Sequence, residues 1–107
     1  MSLDVTLAAI KTVKVYNANI THNLVSMAKA ANIYYHLWRP HEIGLTKAEE
    51  LICPLTDGLR KLKDNPKYYK TFDSPNGWGK YDHFVPFVEK YLNACIENPD
   101  AVIYVSR

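Results

Sequence analysis

The sequence predicts an α+β fold: about four helices flanked by an N-terminal and a C-terminal strand, which pair in a small sheet that a dimer would extend. Three observations lead there. Residues near 10–16 alternate with the two-residue period of a strand, several runs from residue 21 to 96 repeat apolar side chains every three or four positions, and residues 101–105 are apolar on both faces. With 107 residues, 48% hydrophobic and 22% charged, the chain can build one core and not two, so residues 1–107 read as a single domain.

In the N-terminal strand, Val13 and Val15 fall on one face and Thr12, Lys14 and Tyr16 on the other. Val5, Leu7 and Ala9 keep that phase until Lys11 interrupts it. The region is therefore one long edge strand with a break or two separate pieces, because inward-facing lysines guard sheet edges. Residues 1–9 read as an added leader or a loosely attached edge segment. The polar run 17–23 is rich in capping and turn residues and reads as a strand-to-helix turn. From Thr21, the spacing of Leu24, Met27, Ala28, Ala31 and Tyr35 predicts a first helix to about Leu37, closed by Trp38-Arg39-Pro40.

Thr46-Lys47-Ala48-Glu49 has the form of a capping box, in which hydroxyl and carboxylate satisfy each other's free backbone N–H groups. It opens a second helix with the stripe Ala48, Leu51, Ile52, Leu55, Leu59 and Leu62, and Pro54 within that stripe predicts a kink or a restart. Pro66 starts a short third helix through Tyr68, Tyr69 and Phe72. Residues 73–80 form a loop. A fourth helix begins near Tyr81-Asp82, with Asp82 as cap, and buries Phe84, Val85, Val88, Tyr91, Leu92, Cys95 and Ile96.

Thirteen Lys and Arg against eleven Asp and Glu leave a charge of +2, too slight to mark a nucleic-acid or membrane-surface protein. No apolar run approaches the roughly 20 residues of a membrane span, and no signal-peptide pattern opens the chain, so a cytoplasmic protein that does not bind membranes is expected. Cys53 and Cys95 lie among apolar neighbours without a second Cys or His at ligand spacing. Both are expected to be buried, reduced thiols, and neither a metal nor any other cofactor is implied. Phosphate-binding glycine loops, nucleophile elbows, zinc-protease and calcium-loop patterns are absent, so no catalytic residue is assigned.

Three groups of residues remain as candidates for ligand binding. Asn19, Thr21, His22 and Asn23 lie where the strand meets the first helix; free backbone N–H groups there favour an anion, and their side chains suit a phosphate, a carboxylate or a sugar edge. The competing reading gives them capping and turn duties alone. Trp38 and Arg39 could stack on a base and hold a phosphate, or close the core and answer the helix dipole. Asn76 and Gly77 make a tight turn that either displays Trp78 for binding or tucks it into the core. The basic run Arg60, Lys61, Lys63, Lys67 and Lys70 is assigned to the helix dipole, and nucleic acid is not expected as a partner. A helix over 21–37 would be about 25 Å long. Its two ends then cannot share a pocket within one subunit, so either the Trp78 loop meets His22 while Trp38 only packs, or a second subunit brings its Arg39 to His22.

Taken together, Tyr16-Asn17-Ala18-Asn19-Ile20-Thr21-His22-Asn23-Leu24, Leu37-Trp38-Arg39-Pro40, Asn76-Gly77-Trp78-Gly79 and the terminal Val105-Ser106-Arg107 resemble a small family of bacterial and phage or prophage proteins with no known activity. The resemblance covers about Tyr16 to Arg107. It implies a phage setting and, by analogy, the oligomeric proteins that sequester signalling nucleotides. The expected function is non-enzymatic binding of a polar or anionic small molecule by a homo-oligomer. Alternatives are a sponge for a signalling nucleotide, a protein-protein interaction module, and, last, a small enzyme using His22, His41 or His83 as acid or base.

Overall fold

The computed structural model describes residues 2–9 and 13–107. Strands β1 (Ser2–Ala9), β2 (Val13–Thr21) and β3 (Val102–Ser106) form an antiparallel sheet in the order β2-β1-β3. Between β2 and β3 come α1 (Val25–Ala30), α2 (Tyr34–Trp38), α3 (Glu49–Asp64), α4 (Pro66–Lys70) and α5 (Tyr81–Glu97). Single 3₁₀ turns lie at His22–Leu24 and Pro40–Ile43. The fold is α+β, and the N- and C-terminal strands pair directly, Leu7 facing Ile103. One core lies between the inner sheet face (Leu3, Val5, Leu7, Ile20, Ile103) and the long helices α3 and α5 (Leu51, Leu55, Leu62, Phe84, Val88, Tyr91).

Residues 2–9 are not a loosely attached edge segment. They form the central strand, hydrogen-bonded on both sides, with Leu3, Val5 and Leu7 wholly buried. The two-piece reading of the N-terminal region is the observed one; the interruption at Lys11 lies outside the described residues. The polar run expected to be a turn continues β2 as far as Thr21, because its alternation sends Ile20 inward and Asn17 and Asn19 outward. The outward amides bond across the strands: Asn17 Nδ2 donates to Thr6 Oγ1 at 2.9 Å and Asn19 Nδ2 to Asp4 Oδ1 at 2.6 Å. A register shift passes over Val15, since Tyr16 faces Leu7 and Lys14 faces Ala8. The strand's facing therefore differs from expectation: Val15 is exposed, and Tyr16 turns in to stack on Tyr91 at 5.9 Å.

With three strands the sheet stands within one subunit, and the two-strand argument for self-association falls away. β3 is an edge strand rather than a covered one. Ile103 is buried while Val102 and Tyr104 face solvent. Its outer edge is partly satisfied by the segment before α3: Ile103 N–H donates to the Thr46 carbonyl and Ala48 N–H to the Ala101 carbonyl, both at 2.9 Å.

The continuous first helix is the largest correction. After α1 the chain makes a Schellman stop: Asn32 takes a left-handed φ of 62°, Asn32 N–H reaches the Lys29 carbonyl at 3.0 Å and Ile33 N–H the Ala28 carbonyl at 2.9 Å. Asparagine is the non-glycine residue that accepts this conformation most readily. The chain then turns, buries Ile33 and forms α2, so the ends of the segment approach each other: the His22 and Trp38 rings meet edge to face at 6.2 Å.

Three smaller expectations also shift. Glu50, not Glu49, closes the cap of α3, its Oε1 accepting Thr46 N–H at 3.0 Å and Lys47 N–H at 2.9 Å; these bonds hold its carboxyl below the usual range. Glu49 N–H is taken instead by the Pro99 carbonyl. α3 runs through Pro54 without a restart, because Leu51, Leu55, Leu59 and Leu62 are buried on both sides of it. The N-terminus of α5 is capped from the loop, Asp73 Oδ1 accepting Tyr81 N–H at 2.7 Å, while Asp82 sits in the first turn and Phe87 is buried where Ile96 is exposed.

The cysteines differ from each other. Cys95 is buried among apolar groups, which pushes its thiol up to about 12, whereas Cys53 is exposed on α3. Titration of the native protein with a disulfide reagent is expected to report Cys53 at once and Cys95 only after unfolding. Equal rates for both thiols would contradict this burial.

Candidate functional site

At one end of the sheet a cleft of about 490 Å³ is lined by Ser2, Asn19, Thr21, His22, Asn23, Asn76 and Trp78. Two chain segments far apart in sequence make its walls. The first wall is the end of β2 with the turn after it, beside the start of β1. Strand alternation brings Asn19 opposite Asp4, and its Nδ2 also reaches Ser2 Oγ at 2.9 Å. Thr21 caps the following turn, its Oγ1 accepting Asn23 N–H at 3.2 Å. That turn is a three-residue 3₁₀ segment, so the helix N-terminus expected to attract an anion does not form there.

The second wall is the loop 73–80, closed upon itself. Ser74 N–H donates to the Gly79 carbonyl at 3.0 Å and Gly77 N–H to the Ser74 carbonyl at 3.1 Å. Asn76 Oδ1 accepts both Ser74 Oγ–H at 2.6 Å and Trp78 N–H at 2.9 Å. Gly77 has φ of 79° and Gly79 of 109°, conformations that disfavour any side chain. The walls are joined by one bond: Asn23 Nδ2 donates to the Trp78 carbonyl at 2.7 Å. Contact is close enough that a Cβ on Gly79 would lie 2.8 Å from Asn23 Cβ and 3.1 Å from Thr21 Cγ2. The Trp78 indole is left 71% exposed beside the cleft, so this tryptophan does not plug the core.

Of the nine residues singled out in the sequence, the structure thus brings together Asn19, Thr21, His22, Asn23, Asn76 and Trp78. Gly77 shapes the loop without lining the cleft. Trp38 and Arg39 stand apart. Trp38 is buried, stacked on Tyr34 at 5.7 Å, and touches the site only through the edge of His22. Arg39 is held outside the cleft, with Nε donating to Tyr34 Oη at 2.9 Å and a guanidinium N–H to Glu42 Oε2 at 2.6 Å; Glu42 above all keeps its pKa raised. Ser2 is a lining residue that the sequence does not single out: the strand period of its segment is visible, but nothing local says which side chains it joins.

Other surface features are accounted for locally. Arg60 pairs with Asp57 at 2.7 Å, Lys63 with Glu89 at 2.6 Å, and Lys70 lies over the Tyr81 ring, so three members of the basic run are already engaged. His41 Nε2 meets the Ile103 carbonyl at 3.1 Å. Among the described residues no His is hydrogen-bonded to a carboxylate, and no group of three or more His, Cys, Asp and Glu is placed to hold a metal ion. No helix among them is long and apolar enough to cross a membrane. Comparison of the chain with known proteins finds no matching family model, no matching curated protein and no matching solved structure.

Proposed function

We propose that this domain binds a small polar molecule in the cleft between the end of β2 and the Trp78 loop, without transforming it. The observation that carries the reading is the exposed indole of Trp78 set beside convergent amides and hydroxyls, across a cleft that the Asn23 to Trp78 bond holds in shape. Hydrophobic burial does not explain a tryptophan left 71% exposed, and the glycines around it fix its display at some conformational cost. A protein-interaction module would use the same indole, but would surround it with apolar contact area; the cleft residues beside Trp78 are Ser, Asn, Thr and His. An acid-base enzyme would want His22 oriented by a carboxylate, and its ring packs against Trp38 instead.

Native mass spectrometry of the protein drawn from a cell lysate tests the proposal. The expected result is a bound small molecule on the unaltered chain that is lost from Trp78→Ala, with unfolding free energy changed by less than about 0.5 kcal/mol, as for an exposed site. An adduct retained by Trp78→Ala would place binding elsewhere.

A further inference from the structure

Resting on that reading of the cleft, we infer that the ligand is uncharged and rich in hydroxyl groups: a saccharide lying with one ring face on the Trp78 indole. The argument begins with the three amides. An asparagine offers a donor end and an acceptor end, and here each orientation is set by a partner able to play only one role. Asn19 Nδ2 donates to the Asp4 carboxylate at 2.6 Å, and Asn23 Nδ2 to the Trp78 backbone carbonyl at 2.7 Å. Both therefore keep their Oδ1 as an acceptor for a ligand, and Asn23 also keeps its second N–H as a donor. Asn76 is reversed: its Oδ1 takes Trp78 N–H at 2.9 Å, which leaves Nδ2 as a donor. Thr21 Oγ1 already accepts Asn23 N–H and Ser2 Oγ already accepts from Asn19, so each hydroxyl has its own proton to give.

The cleft thus presents acceptors and donors side by side, and this decides the ligand class. A phosphate or carboxylate brings acceptors alone, and would set its charge against the Asn19 and Asn23 oxygens with the Asp4 carboxylate bonded behind Asn19. No Lys or Arg is among the lining residues, and Arg39, the cation suited to an anion, is tied to Glu42 outside the cleft. An ammonium brings donors alone and would oppose the Asn76 Nδ2 donor. A hydroxyl both gives and accepts, so neighbouring hydroxyls on a sugar ring can satisfy the whole set. The C–H face of the same ring is apolar and matches the flat, exposed indole, and about 490 Å³ leaves room for a small oligosaccharide.

The test follows the Trp78 indole N–H and the Asn19, Asn23 and Asn76 side-chain amide signals by ¹⁵N NMR of the whole chain. Three probe sets are titrated: a panel of neutral di- and trisaccharides, adenosine, and inorganic phosphate with AMP. Saturable shifts of these signals with at least one saccharide are expected. Asn76→Asp should weaken that binding about tenfold or more, since it keeps the oxygen that holds Trp78 N–H and replaces the free donor by a second acceptor. Saturable shifts with phosphate or AMP alone, or with adenosine alone, would overturn the saccharide while leaving the cleft as the binding site. No shift with any probe would overturn both this inference and the site it rests on.

Discussion

A chain lacking residues 2–9 is expected to show no cooperative unfolding transition. β1 is the only strand that touches both others, so its loss leaves β2 and β3 as separate ribbons. It also withdraws Leu3, Val5 and Leu7, each wholly buried, from the centre of the inner sheet face. A graded version is Leu7→Ala. Removing a fully buried leucine costs about 2–5 kcal/mol, a large part of the 5–15 kcal/mol that holds a typical domain together. Urea denaturation followed by circular dichroism reads both variants. A truncated chain that keeps a sharp transition and native helix content would refute the central role of β1.

The second large effect belongs to Gly79. Gly79→Ala meets two obstacles: φ of 109°, and a Cβ 2.8 Å from Asn23 Cβ, with Thr21 Cγ2 at 3.1 Å. The loop must move away from the end of β2, breaking the Asn23 to Trp78 bond and opening the cleft. A loss of about 1–3 kcal/mol is expected from the backbone alone. Ligand binding should disappear with it. Gly77→Ala is the control, because it shares a positive φ of 79° but its Cβ would meet nothing closer than Lys80 Cε at 4.0 Å. If the two variants bind and unfold alike, the close approach of the loop to the strand end is not what shapes the cleft.

Much of the architecture is legible along the chain, and the failures share a cause. The stripe from Leu51 to Leu62 and the repeat from Phe84 to Cys95 identify α3 and α5, because burying one helical face demands that spacing whatever lies opposite. The break at Asn32 hides in an unbroken periodicity: Ala28, Ala31 and Tyr35 keep helical spacing, yet the phase resets, so Ile33 is buried and Tyr35 exposed. The signal available was Asn32 itself, a residue suited to the left-handed stop. β1 shows its two-residue period plainly, but its place at the centre of the sheet depends on Ile103 and Val105, nearly a hundred positions away.

The same division runs through the site. Local chemistry marks Asn19, Thr21, His22, Asn23, Asn76 and Trp78 as capping, turn and display residues, since their preferences act over a few bonds. Nothing local joins them to one another or to Ser2, or sends Trp38 into the core and Arg39 to Glu42. Those outcomes follow from how β1 slots between β2 and β3 and how the loop before α5 reaches Asn23 across 55 residues of chain. Short-range spacing marks helices, strands and turns, whereas a cleft exists only where packing of the core brings distant segments within hydrogen-bond reach.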